Sequence, residues 1–180
     1  MRHREFRKIP LLTCLLMAAL LIPGCESSKP ERPLDTVQPS PLESEPAPLI
    51  KGWPSGELVI SREGQTLLEL RVEIASTKER RAEGLMGVKS MPADAGMVFE
   101  FGYSHRGAFY MKDTLIPLDI AFWNEEGKIV DILQMPPCEA EPCPHYPPSA
   151  NYVSAVEVNK GLMQASGVSI GDQIALTKNS

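Results

Sequence analysis

The sequence predicts a mainly β fold, a β-rich α+β domain built as a small barrel-like or rolled antiparallel sheet with two short helices. Three observations carry this. Short segments alternate apolar and polar residues with a period of two, clearest at residues 66–74 and again at 118–123. Glycine-bearing turns separate such segments, most plainly Asn124-Glu125-Glu126-Gly127, where two apolar runs meet as a hairpin. Helical spacing is confined to two short stretches, 76–86 and 159–165. Many short strands with few helices are the pattern of a rolled sheet or barrel.

Taken in order, residues 57–60 make a first short strand, closed by the turn Arg62-Glu63-Gly64-Gln65. Residues 66–74 follow as a half-buried strand, with Leu68, Leu70, Val72 and Ile74 on one face and Leu67, Glu69, Arg71 and Glu73 on the other. Ser76, with Glu79 three residues on, forms a capping box for the first helix, and Lys78, Ala82, Leu85 and Met86 share one of its faces. Gly84 inside that helix costs about 1 kcal/mol relative to Ala, which points to something packed closely against it. Residues 97–101 give another strand, and 102–107 a loop carrying His105 and Arg106.

The densest stretch is 108–122, two apolar runs around the polar knot Lys112-Asp113-Thr114. In its second run Leu118, Ile120 and Phe122 fall on one face, Asp119, Ala121 and Trp123 on the other. An inward Asp119 needs a partner, because an unpaired buried carboxylate costs several kcal/mol, and Lys112 is the nearest cation in sequence. Residues 128–135 return as the second arm of the hairpin. The proline-rich segment 136–151 reads as a long surface loop. A strand at 152–158, a helix capped by Asn159 and stopped at Gly167, and a last strand at 173–176 complete the domain.

The N-terminus is an address. Arg2, Arg4, Arg7 and Lys8 precede an apolar run that ends at Pro23-Gly24-Cys25, too short for a span of about 20 residues. Leu21-Ile22-Pro23-Gly24-Cys25 resembles a bacterial lipobox, which implies that 1–24 is a lipoprotein signal peptide and that Cys25 becomes a fatty-acylated, palmitate-bearing N-terminus. Residues 25–55 repeat Pro with Ser and Glu and read as a disordered or partly polyproline tether, leaving 56–180 as the folded domain. The localisation expected is the cell envelope, with the domain facing the periplasm or the exterior. The formal charge is −5, and 1–24 holds four Lys/Arg against one Asp/Glu, so the mature chain is more acidic still. Such a surface repels nucleic acid, whose binding rests on phosphate neutralisation.

Glu83-Gly84-Leu85-Met86, Gly96-Met97-Val98-Phe99, Tyr110-Met111-Lys112-Asp113-Thr114, Ile116-Pro117-Leu118-Asp119-Ile120, Glu157 followed by Gly161, and Gly171-Asp172 together resemble the uncharacterised DUF192 family, also called UPF0127. The resemblance runs from about residue 72 to 176. It implies a compact β-rich single domain, often exported, and brings no established activity, cofactor or catalytic residue. Members more usually carry Asn at the place of Asp113 and Trp at that of Tyr110.

Three constellations invite chemistry. Cys138 and Cys143, five apart in a proline-rich loop of an exported protein, are expected to form a disulfide; the alternative is a zinc or copper site with His145, which lacks a fourth ligand at usual spacing. Met86, Met91, Met97, Met111, Met135 and Met163 suit Cu(I), but thioethers are also common core fillers, and core packing is the expectation. Arg80, Lys112, Asp113, Asp119 and Glu157 form the candidate ligand-binding set. Asp119 and Glu157 interrupt apolar strands, and close inward carboxylates would separate in pKa as acid/base pairs do, whereas the structural reading pairs Asp119 with Lys112 or Arg80. No Ser-His-Asp spacing, P-loop or dinucleotide glycine fingerprint is present. The expectation is therefore a membrane-anchored binding or accessory module for an envelope glycan, peptide or protein, with no cofactor. A hydrolase using Asp119 and Glu157, or a copper- or zinc-handling protein, are the alternatives.

Overall fold

The structure, a computed structural model, describes residues 50–179. The leader, Cys25 and the tether as far as residue 49 lie outside the described residues. The elements are β1 (Ser55–Arg62), β2 (Gln65–Ala75), α1 (Lys78–Glu83), β3 (Ala95–His105), β4 (Phe109–Tyr110), β5 (Leu118–Trp123), β6 (Ile129–Met135), β7 (His145–Tyr146), β8 (Tyr152–Asn159), α2 (Leu162–Ala165) and β9 (Gln173–Lys178). Seven strands form one sheet in the order β6-β5-β8-β3-β2-β1-β9, and β4 pairs with β7 in a separate ribbon. The fold is β-rich α+β, as the alternating segments predict.

Neighbouring strands run antiparallel except β2 and β3, which are parallel. This corrects the expectation of a wholly antiparallel sheet. Parallel neighbours need a crossover rather than a tight turn, and α1 with the loop after it is that crossover. The sheet rolls until its edge strands touch at one end, where Lys128 bridges Gln173. Ile129 N donates to Asp172 O at 2.9 Å and Ile174 N to Gly127 O at 2.7 Å, so the roll is held at that end without closing into a barrel. Gly127 has φ 75°, and a Cβ there would lie 2.8 Å from the Ile174 carbonyl oxygen. The hairpin glycine is therefore demanded both by its turn and by the meeting of the two edges.

Each face of the sheet has its own core. Inside the roll lie Leu58, Ile60, Leu70, Val72, Ile74, Val98, Ala121, Trp123, Ile129, Val156, Val158 and Ile174, closed by Met163 and Val168 from α2 and the turn after it. On the outer face Ala75, Met97, Phe99, Leu118, Ile120, Phe122, Met135, Tyr152 and Ala155 pack under Leu85, Met91 and Met111 from the connections. All six residues of β5 are buried, which explains why the sequence is densest there. Ile50 and Trp53, placed by sequence in the tether, pack against the outer core.

The helices are shorter than their spacing suggests. Thr77, not Ser76, caps α1, accepting from Arg80 N at 3.3 Å, and α1 itself buries no residue; Leu85 is buried beyond its end. Gly161 rather than Asn159 precedes α2, while the Asn159 amide donates to the carbonyls of Met91 and Pro92. The second shift has a tertiary cause, since distant carbonyls claim the Asn159 amide that local propensity offered as a cap. Among the described residues no helix is long and apolar enough to cross a membrane.

Candidate functional site

Strand register decides the fate of the expected site. Glu157 on β8 pairs with Ile120 and with Met97, whereas Asp119 on β5 pairs with Val158. Cross-strand partners share a face, so Glu157 points to the outer core and Asp119 into the roll. The two carboxyls lie on opposite sides of the sheet and form no pair, which corrects the expectation that they share a site and removes the geometry required by the hydrolase alternative.

Asp119 is 1% exposed, and its partner is neither Lys112 nor Arg80. Its Oδ2 accepts from Gly161 N at 2.8 Å and Met163 N at 3.3 Å, tying the entry of α2 to β5. Arg80 lies with its guanidinium 5.5 Å from the centre of the Trp53 ring. Lys112 is exposed, 3.9 Å from Glu141. Asp113 holds φ 54°, and its carbonyl accepts from Gly87 N at 2.9 Å. Of the five candidate residues, then, Asp119 fixes a backbone at the edge of an open groove, three sit at or near the surface, and Glu157 lines a cavity walled by aromatic rings.

That cavity, about 160 Å³, lies between α1 and the outer face of β3 and β8, roofed by the residues leading into β4. Phe99, Phe101, Phe109 and Tyr152 supply its aromatic walls. Phe99 meets Phe109 edge to face at 5.1 Å, and Phe101 meets Tyr152 likewise at 5.4 Å. Gly84 lies at the rim, where an added Cβ would come within 3.3 Å of the Phe99 ring; this is the close approach that a glycine at that place implies. The Arg81 guanidinium stands 4.9 Å over Phe101 and donates to the carbonyls of Ser76 at 2.6 Å and Glu100 at 2.7 Å.

Three of the titratable groups lining the space have shifted pKa values. Glu157 is 5% exposed, and its carboxyl has no hydrogen-bond or ionic partner among the described residues. Burial alone pushes its pKa up to about 8, so it is protonated at neutral pH and acts as a donor. The His105 ring stacks 4.4 Å from Tyr152; its Nδ1 accepts from Gly107 N at 3.2 Å, which places the proton of the neutral ring on Nε2. Nε2 is buried without a partner, and burial, followed by the Arg81 charge, lowers the pKa of the ring. Tyr152 donates its hydroxyl to Gly107 O at 2.8 Å, and burial raises its pKa too.

Sequence reasoning missed His105, Tyr152 and the phenylalanines as site residues. Phe99 and Phe101, two apart in a strand, were the available signal. It also placed Glu73 outward with Glu69, whereas Glu73 is 4% exposed and sits across Met97 from Glu157 in one row of the sheet. Alternation cannot reveal this, because a strand covered on both faces has no solvent side.

The metal alternatives lose their ligands. Cys138 and Cys143 form the expected disulfide, with Cα atoms 5.5 Å apart. Met97, Met111, Met135 and Met163 are core residues of 0–2% exposure. Among the described residues no group of three or more His, Cys, Asp or Glu is placed to hold a metal ion.

The DUF192 family model, described as "Uncharacterized ACR, COG1430", matches residues 59–176, which spans the sheet from β1 to β9. The chain belongs to the DUF192 family. It is similar to the crystal structure of a "putative transcription regulator" from Sinorhizobium meliloti 1021, at 30% identity and a TM-score of 0.62, over 69% of this chain and 95% of that one. A protein of unknown function from Novosphingobium aromaticivorans DSM 12444 is similar at 26% identity and a TM-score of 0.58, over 66% and 83% of the two chains. No curated protein matches. This DUF192 domain thus shares its fold with relatives whose descriptions assign no ligand.

Proposed function

We propose that this DUF192 protein is an exported binding module of the cell envelope, lipid-anchored at Cys25, whose ligand enters the cavity beneath α1. One observation carries the binding reading: Glu157 is buried against aromatic rings, and its carboxyl opens on the cavity with no hydrogen-bond partner among the described residues. Folding gains nothing from such a group, since leaving a buried polar group unpaired costs about 1–3 kcal/mol. A cost of this kind is retained where a ligand supplies the missing partner. A portion of an envelope glycan, a peptide side chain or a partner protein's side chain inserted from the rim would all reach it. The description of the Sinorhizobium neighbour is not carried over, because an acidic chain of formal charge −5 is poorly suited to DNA.

Replacing Glu157 with Leu tests the reading. Removal of the unsatisfied carboxyl should raise thermal stability, by about 1–3 kcal/mol if the site can repack, and abolish capture of the ligand. A fall in stability would instead make Glu157 a structural residue. Anchoring is tested separately. Cys25→Ser should end incorporation of radiolabelled palmitate and move the protein to the soluble fraction, and unchanged membrane association would refute the lipid anchor.

A further inference from the structure

We infer that the cavity beneath α1 selects a small, largely apolar group presenting an acceptor oxygen, a carbonyl or carboxylate, because two hydrogen-bond donors without partners among the described residues line one aromatic pocket. This rests on the binding reading above and adds the chemistry of the ligand. The donors are the Glu157 carboxyl, which opens on the cavity and has no hydrogen-bond partner among the described residues, and the buried His105 Nε2–H. Burial holds the first protonated and the second uncharged at neutral pH, so each offers a hydrogen and neither offers a charge. The walls are Phe99, Phe101, Phe109 and Tyr152, and a volume of about 160 Å³ falls in the class that admits a benzene-sized group.

Of the other ionisable groups around Glu157, Glu73 lies buried in the same row across Met97 but outside the cavity lining, and the rest stand at its rim or are already engaged. From α1, Arg81 is engaged by the Ser76 and Glu100 carbonyls and brings positive charge to the rim, while Glu83 stands at the same edge. From β4 comes Tyr110, and from β8 Tyr152, whose hydroxyl is spent on Gly107. A rim carrying Arg81 admits an oxygen-rich group more readily than an ammonium. An acceptor binds only the protonated Glu157, so its affinity should fall as pH rises through the carboxyl's titration. An ammonium would bind the ionised form, and its affinity would rise through the same range.

Ligand-observed NMR titration of the full chain with acetophenone, benzylamine and toluene separates these outcomes. Acetophenone, an acceptor of benzene size, should bind at least tenfold more tightly than toluene or benzylamine at pH 7, and about tenfold more weakly at pH 9 than at pH 7. Glu157→Gln keeps a donor, so it should retain acetophenone and lose the pH dependence; Glu157→Leu, left with the His105 donor alone and a filled cavity, should lose acetophenone binding at least tenfold. Tighter binding of benzylamine, growing towards pH 9, would overturn the acceptor assignment and leave the binding site intact. Failure of all three probes to bind would overturn both.

Discussion

The Glu157 carboxyl makes stability depend on pH in a range where most proteins are insensitive to it. Its pKa is about 8 in the folded chain against 4.5 for the ordinary group, and burial is the whole cause. The folded state therefore holds a proton that the unfolded state has released between these values. Stability is at its full level below pH 4.5, declines as pH rises, and has lost this contribution above pH 8. At about 1.4 kcal/mol per unit, the decline between pH 6 and pH 8 is about 2 kcal/mol once curvature near the upper pKa is included. For a domain of this size that corresponds to a fall in Tm of about 6–10 °C. His105 acts in the opposite sense, because its lowered pKa adds stability as pH rises towards 6.5, so the wild-type curve alone mixes the two. The assay is thermal unfolding by circular dichroism at half-unit steps from pH 5 to 9, for wild type and for Glu157→Gln, with the difference between the curves isolating the carboxyl. A difference curve flat between pH 6 and 8 would show that Glu157 is hydrated or paired, and the case for an unsatisfied donor in the cavity would collapse.

Other substitutions probe the frame around the site. Asp119→Ala strips Gly161 N and Met163 N of their acceptor and should cost about 2–3 kcal/mol in urea unfolding, whereas a change under about 0.5 would mean that water replaces the carboxylate. The Arg62 guanidinium grips Asp172 at 2.7 and 2.8 Å and holds its pKa below the ordinary 3.8; that stability is present above pH 3.8 and lost as pH falls through the lower folded value, so Asp172→Asn should flatten the acid limb of the Tm curve below pH 4. An alanine at Gly96 would bring its Cβ within 2.8 Å of the Glu157 carbonyl oxygen, forcing β3 from β8; a loss of about 1–3 kcal/mol is expected, read by chemical denaturation. Reducing the Cys138–Cys143 bond opens a loop of six residues and should cost about 2 kcal/mol by chain entropy, leaving acetophenone binding unchanged, since neither cysteine lines the cavity.

Local pattern made much of the architecture legible. The hairpin of β5 and β6 follows from alternation on either side of Asn124–Gly127, and the division of β5 into two faces follows from its period of two: Leu118, Ile120 and Phe122 do enter one core, Ala121 and Trp123 the other. Proline density marked the loop that the disulfide pins, and Glu157, an acid in an apolar strand, marked the cavity. The parallel pairing of β2 with β3 was not legible, since its evidence is the return of the chain over α1 rather than any residue within the strands. Nor was the separation of Asp119 from Glu157, because two acids in neighbouring strands share a face or oppose one another according to a register that a one-residue slip reverses.

The sequence by itself determined that a β-rich domain forms, which of its strands lie deepest, and that acids are buried in them, because alternation and apolar density are properties of contiguous residues. Tertiary structure alone decided what each acid meets. Asp119 finds two backbone amides 42 and 44 residues away, while Glu157 finds aromatic rings drawn from β3, β4 and β8 around an opening that none of the described residues fills. A carboxyl's protonation and partners depend on the field and space around it, and both are assembled from residues that only the rolled sheet brings together.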